Sequence, residues 1–169
     1  ILITVHRREN FGVKLRDICN SINVLAKKFS DYTFLFPVHL NPNVRQEVLK
    51  TLDSKSNKNV ILIDPIKYDE MVFLMLNTKL ILTDSGGIQE EAPSLGKPLI
   101  VMREKTERLH GIKAGASILV GSNKNQIIEG VSKLINDKTA YRKMSIIKNI
   151  YGDGTASEKI VKHLVESFS

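Results

Sequence analysis

Three polar stretches in this 169-residue chain carry residue types suited to handling an anionic ligand. The first is Asp84-Ser85-Gly86-Gly87-Ile88-Gln89-Glu90-Glu91, which follows the aliphatic run from Lys79 to Thr83. A strand running into Ser-Gly-Gly and straight on into a helix lets the backbone approach a ligand. It also presents the free N–H groups and positive dipole end of the helix start, which together make a phosphate cradle. No Lys-Ser/Thr follows, so this is not a P-loop, and the three-glycine dinucleotide fingerprint is absent. A tight strand-to-helix turn without any ligand fits the same eight residues. Glu91, one turn into the helix, is placed to accept two hydrogen bonds from a ribose diol. Alternatively, it is a solvated acid that complements the helix dipole. Neighbouring positions point about 100° apart on a helix, so Glu90 and Glu91 cannot share that task.

The second stretch is His6-Arg7-Arg8-Glu9-Asn10, directly after the run Ile1 to Val5. A histidine exchanges protons near neutral pH, and an arginine grips phosphate with a forked geometry. The plain alternative is a charged surface turn. The third runs from Arg103 to Gly115, where Arg108 can reach a phosphate held at Ser85-Gly86-Gly87. His110 and Gly111 fall in the same segment, read as a loop that the glycine makes mobile. His39, after a second strand, points at the same rim. The four histidines are far apart, and no histidine or cysteine cluster has metal-ligand spacing, so neither a metal nor a cofactor is expected. No nucleophile-elbow serine is present.

The elements that must position these residues follow from hydrophobic periodicity. Ile1 to Val5, Thr33 to Val38, Val60 to Ile63, Lys79 to Thr83, Leu99 to Met102 and Ile118 to Val120 read as strands, several of them continuous aliphatic runs buried on both faces. Leu15, Ile18, Cys19, Ile22, Leu25, Ala26 and Phe29 form one stripe of an amphipathic helix. Asn41-Pro42 caps a second helix, with Val44, Val48, Leu49 and Leu52 facing inward. Further helices are expected over Tyr68 to Leu76, Ile88 to Leu95, Asn125 to Ile135 and Ala140 to Ile147. A last one opens on Thr155-Ala156-Ser157-Glu158, which has capping-box spacing, and turns Ile160, Val161, Leu164 and Val165 inward. Alternating strands and helices with short connections predict an α/β, doubly wound, Rossmann-like parallel sheet. The length suits one domain over 1–169, and the abrupt start inside a strand suggests that something normally precedes it.

Composition excludes other classes. No apolar run is long enough to span a bilayer, and the first residues do not read as a signal peptide. Lys and Arg number 25 against 18 Asp and Glu, a charge of +7, but the cations are dispersed and interleaved with acids, as in Arg103-Glu104-Lys105-Thr106-Glu107-Arg108. Only 6% of residues are aromatic, so nucleic acid is not the expected partner. An anionic small ligand accounts for the sign. The single cysteine, Cys19, suits a reducing compartment and reads as a buried, inert thiol.

His6-Arg7-Arg8-Glu9-Asn10, Asp84 through Pro93, Gly96-Lys97-Pro98, Thr106-Glu107-Arg108 and Gly115, in this order, resemble the non-hydrolysing UDP-N-acetylglucosamine 2-epimerases. The closing Tyr151-Gly152-Asp153-Gly154-Thr155-Ala156-Ser157 is similar to that family as well, so the likeness covers essentially the whole chain. It departs at Leu109-His110, where the family commonly has Pro-Glu, at Met71, where a phenylalanine usually packs on uracil, and at Ile150, which replaces a proline. The resemblance implies one half of a two-domain architecture like that of the B-type glycosyltransferases. It also implies inversion of carbon 2 by elimination and re-addition of UDP, with the carboxylate bases in an amino-terminal domain this chain lacks. By the same resemblance Ser85, Gly86 and Gly87 hold the diphosphate, Glu91 the ribose, Arg108 a phosphate and Met71 the base. His6 is then catalytic, and Arg7, Glu9 and His39 bind a second substrate molecule as activator. A cytoplasmic, homodimeric full enzyme supplying cell-envelope polysaccharide synthesis is the corresponding expectation. A stand-alone UDP-sugar-binding module and half of a B-type glycosyltransferase are the competing readings.

Overall fold

The computed structural model describes residues 1–52 and 56–168. Six parallel strands form one sheet: β1 (Leu2–Thr4), β2 (Phe34–Pro37), β3 (Val60–Ile63), β4 (Ile81–Thr83), β5 (Leu99–Val101) and β6 (Ser117–Leu119), in the spatial order β3-β2-β1-β4-β5-β6. This is the doubly wound order expected from the alternating pattern. It places the topological switch point between β1 and β4, which pair in register from Leu2↔Ile81 to Thr4↔Thr83. Thr4 and Thr83 share a buried hydroxyl–hydroxyl hydrogen bond of 2.6 Å, which locks the upper end of that pair.

Successive strand residues point to opposite faces, and the two faces have separate cores. Ile3, Leu82 and Ile100 face a large cluster formed with α1 (Val13–Lys28), α2 (Pro42–Thr51), α6 (Lys124–Asn136) and α7 (Lys138–Ser145). Leu2, Ile81 and Leu99 face a smaller one against α3 (Tyr68–Asn77) and α4 (Gly86–Ser94). The apolar stripe of α1 is buried as its spacing requires, with Phe29 following as the C-cap. Asn41 Oδ1 accepts from the Asn43 amide with Pro42 in the first turn, so α2 starts where its cap predicts.

Cys19 lies fully buried in this core, and burial, reinforced by the charge of Glu47, pushes its thiol up to about 12. A thiol reagent at pH 8 should leave the folded chain unlabelled and modify one site only after denaturation. Labelling of the native protein would contradict this packing.

Two inward assignments are overturned. Leu49 is 59% exposed, because the face that α2 buries is that of Val44 and Val48. The final helix, α8 (Ala156–Phe168), buries no residue, and Ile160, Val161, Leu164 and Val165 are 48–60% exposed. Its periodicity is that of an amphipathic helix, but periodicity states only that a face is apolar, not what covers it. The Thr155 hydroxyl bonds to Asp153 Oδ1.

Candidate nucleotide-binding site

The loops leaving β1 and β4 lie side by side because their strands are neighbours, and a buried carboxylate joins them. Asp84, at 0% exposure, directly follows β4. Its two oxygens accept the His6 amide at 3.1 Å, the Arg7 amide at 2.9 Å and Asn10 Nδ2 at 3.0 Å, and His6 Nδ1 stands 3.0 Å away. Burial alone would raise this carboxyl, but the hydrogen bonds from His6, Arg7 and Asn10 outweigh it and hold the group below its usual range. Asn10 also donates to the Met102 carbonyl at 3.0 Å, so the loop is tied to β5 as well.

Ser85 is the N-cap of α4, although its hydroxyl is distant from the Ile88 amide, at 3.5 Å. Gly86 and Gly87 open the helix, where amides have no intrahelical acceptor and face outward along the axis. The space over Gly86 belongs to charged groups. A Cβ there would lie 3.2 Å from Arg7 Nη2, 3.3 Å from Glu107 Oε1 and 3.7 Å from Arg108 Nη2. Glu107 links the cluster, pairing with Arg103 Nη1 at 2.9 Å, Arg108 Nη1 at 3.3 Å and Arg7 Nη2 at 3.9 Å. Arg108 also pairs with Glu90. Two arginines therefore converge on a helix start, each balanced by carboxylates that a more highly charged anion can displace. Arg7 Nε is buried with no hydrogen-bond partner among the described residues, a donor available to such an anion.

Glu91 bends back toward Gly87, its Oε1 3.6 Å from where a Cβ would sit, and its Oε2 accepts from the Tyr68 hydroxyl at 3.2 Å. Glu90 turns instead to Arg108, so the adjacent acids divide as helix geometry requires. Beside the cradle opens a cavity of about 230 Å³, bounded by His6, His39, Ile66, Met71, Ser85 and Ile88. The His6 and His39 rings stack across it with centroids 6.2 Å apart. An apolar slot next to a cationic helix start suits a planar base or sugar attached to a diphosphate.

Residues 1–165 match the family model described as UDP-N-acetylglucosamine 2-epimerase. The chain belongs to that family. It is 51% identical over 166 residues to the UDP-N-acetylglucosamine 2-epimerase of Campylobacter jejuni, covering 98% of this chain and 43% of that protein. The crystal structure of the UDP-GlcNAc 2-epimerase from Neisseria meningitidis bound to UDP-GlcNAc superposes with a TM-score of 0.91 at 50% identity, covering 98% of this chain and 44% of that one. The S. aureus MnaA–UDP co-structure gives 0.89 at 41% identity, covering 96% and 44%. The chain thus spans less than half the length of the epimerases it matches.

Within this epimerase portion, most residues of the cradle are legible in the sequence, and the side chains that hold it are not. Arg103, 8% exposed, donates to Glu9 at 2.7 Å and to Glu107. This places Glu9 on the arginine network rather than in the cavity with His39, and Arg7 over Gly86. Gln89 Nε2 donates to the Ser85 carbonyl at 3.1 Å, and Gln89 Oε1 accepts from the Thr106 hydroxyl at 2.7 Å. That hydroxyl accepts in turn from the Arg108 amide at 3.1 Å, which fixes the approach of Arg108. The only signal for these tethers was the density of polar residues in a short segment.

The segment read as a mobile loop contains a helix, α5 (Leu109–Ala114), closed by Gly115 at φ +80°. Gly111 is buried inside it. A Cβ there would lie 2.9 Å from the Tyr151 hydroxyl and 3.0 Å from Ser117 Oγ. Tyr151 accepts from the Gly111 amide and donates to the Arg108 carbonyl, so close packing, not mobility, explains the glycine. Gly111→Ala should gain nothing from its better helix preference and cost up to about 2 kcal/mol net, being roughly 1–3 for overpacking less about 1 for that preference. Denaturant unfolding measures it, and a midpoint raised by the substitution would contradict the contact.

Proposed function

We propose that residues 1–169 are the UDP-gripping unit of a UDP-N-acetylglucosamine 2-epimerase, interconverting UDP-N-acetylglucosamine and UDP-N-acetylmannosamine once completed by an amino-terminal half. The observation that carries this reading is the meeting, at the β1–β4 switch point, of the His6–Asn10 loop, the Ser85–Gly87 helix start and Arg108. In the proposed reaction a base removes the carbon-2 proton, the C1–O bond breaks, and UDP departs with the bonding pair to leave a glucal. Protonation of carbon 2 on the other face and re-addition of the UDP oxygen to carbon 1 complete the inversion.

This chain's part is to hold the departing diphosphate. The amides of Gly86 and Gly87, the helix dipole and Arg108 stabilise the charge as it develops. Glu91 is set to bind the ribose and Met71 to pack on the base, while Arg7, Glu9 and His39 serve an activating second substrate. His6 stands where leaving group and sugar meet. The carboxylate bases belong to the other half, and the uncovered apolar face of α8, with Ile160 and Leu164, gives that half a surface on which to pack. We place the complete enzyme in the cytoplasm as a homodimer supplying cell-envelope polysaccharide synthesis.

Calorimetry on the isolated chain should show weak UDP binding, with negligible epimerisation. Adding the amino-terminal half of a relative in trans should restore turnover. Full turnover by the chain alone would refute the half-enzyme reading. UDP binding without complementation would favour a stand-alone UDP-sugar-binding module.

A further inference from the structure

His6 has two ring nitrogens, and only one can face a ligand usefully. Nδ1 stands 3.0 Å from Asp84 Oδ1, whose side chain is fully buried, whereas that of His6 remains 38% exposed. With Nδ1 turned to Asp84, Nε2 is the ring nitrogen left for the cavity that His6 lines with Ser85 and Met71. Asp84 is ionised, as its lowered pKa requires, and an ionised carboxylate only accepts hydrogen bonds. Nδ1 must then carry a proton. We propose that Asp84 is a positioning residue that fixes His6 as the Nδ1–H tautomer and leaves Nε2 free to take or give a proton at the bound nucleotide sugar.

The same carboxylate holds the backbone of the loop through the amides of His6 and Arg7 and through Asn10. A purely structural role would stop there. The division of bonds between its oxygens separates the two roles. Oδ2 takes the Arg7 amide and Asn10, the His6 amide lies 3.1 Å from both oxygens, and only Oδ1 faces His6 Nδ1. In Asp84→Asn the amide oxygen is best used at the Oδ2 position, where it still accepts from the loop. The NH2 group then meets Nδ1 as a donor, so His6 must switch to the Nε2–H tautomer and present a proton where an acceptor stood.

This inference rests on the proposed epimerase reading, and its test separates the two. Nitrogen-15 correlation spectra of the histidine rings should show His6 of the wild-type chain as the Nδ1–H tautomer and His6 of Asp84→Asn as Nε2–H. In the enzyme assembled with the amino-terminal half, Asp84→Asn should lower kcat by about 10²-fold or more. Its KM and UDP affinity should stay within about threefold, as when a group acting only in the transition state is lost. A wild-type Nε2–H tautomer would overturn the proposal and needs no variant, so it decides the matter even if Asp84→Asn fails to fold. A switched tautomer with kcat unchanged would overturn it as well, and so would a lowered kcat with the tautomer kept, which marks a structural role. A wild-type chain that does not bind UDP at all would sink the functional reading instead, leaving the tautomer result to stand on its own.

Discussion

Replacing His6 with alanine should lower kcat of the assembled epimerase by roughly 10²–10⁴-fold, the usual range for removing a positioned proton-transfer group. The affinity of the chain for UDP should change by less than about threefold, since the role proposed for His6 is on the reacting atoms and not on uniform binding. The asymmetry follows from where the side chain stands. His6 stands two residues beyond β1 at the switch point, its side chain lines the cavity, and its amide and Nδ1 are both directed at Asp84. None of its bonds reaches the arginines over Gly86, so the diphosphate grip survives its removal. The amide bonds to Asp84 are made by backbone and persist in the alanine variant, which should fold normally. Steady-state kinetics beside calorimetry separate the two effects, and an alanine variant turning over at the wild-type rate would remove His6 from the chemistry.

Arg108→Ala makes the complementary case. UDP binding should weaken by about 1.5–3 kcal/mol, as expected for losing a hydrogen bond to a charged group, and calorimetry on the chain itself reads it. Without ligand the guanidinium is occupied by Glu90 and Glu107, both more than two-fifths exposed, at 42% and 45%. Ion pairs of that exposure contribute little and are readily exchanged for a diphosphate, which carries more charge and offers a fork of oxygens. Arg108→Lys should be intermediate, because a single ammonium keeps the charge and loses the two-pronged geometry. Stability should change little in either variant. The contacts that anchor the segment use the Arg108 amide and carbonyl, bonded to Thr106 and Tyr151. Binding that survives Arg108→Ala undiminished would take this residue out of the phosphate site.

The expected effects separate because the residues proposed for binding and for proton transfer follow different strands. The cradle follows β4 and opens α4, and the histidine lies in the loop after β1. Only the β1–β4 pairing brings them together, and Asp84 is the side chain common to both.

Features that depend on near neighbours in the chain are legible in the residues alone. The stripe of α1, the aliphatic strands, the Asn41 cap and the Ser-Gly-Gly helix start are statements about residues a few positions apart, and periodicity and capping rules decide those. The ordered motifs also sufficed to identify the family. Tertiary structure alone decided everything that depends on distant partners. Asp84 became the centre of the site only by meeting the His6 amide, 78 residues away. Gly111 suggests a mobile loop in sequence, whereas Tyr151, 40 residues on, packs against it and accepts from its amide. The α8 stripe is apolar as its spacing predicts, yet it faces away from this domain's core, because a hydrophobic face records that burial is favourable without naming the surface that provides it.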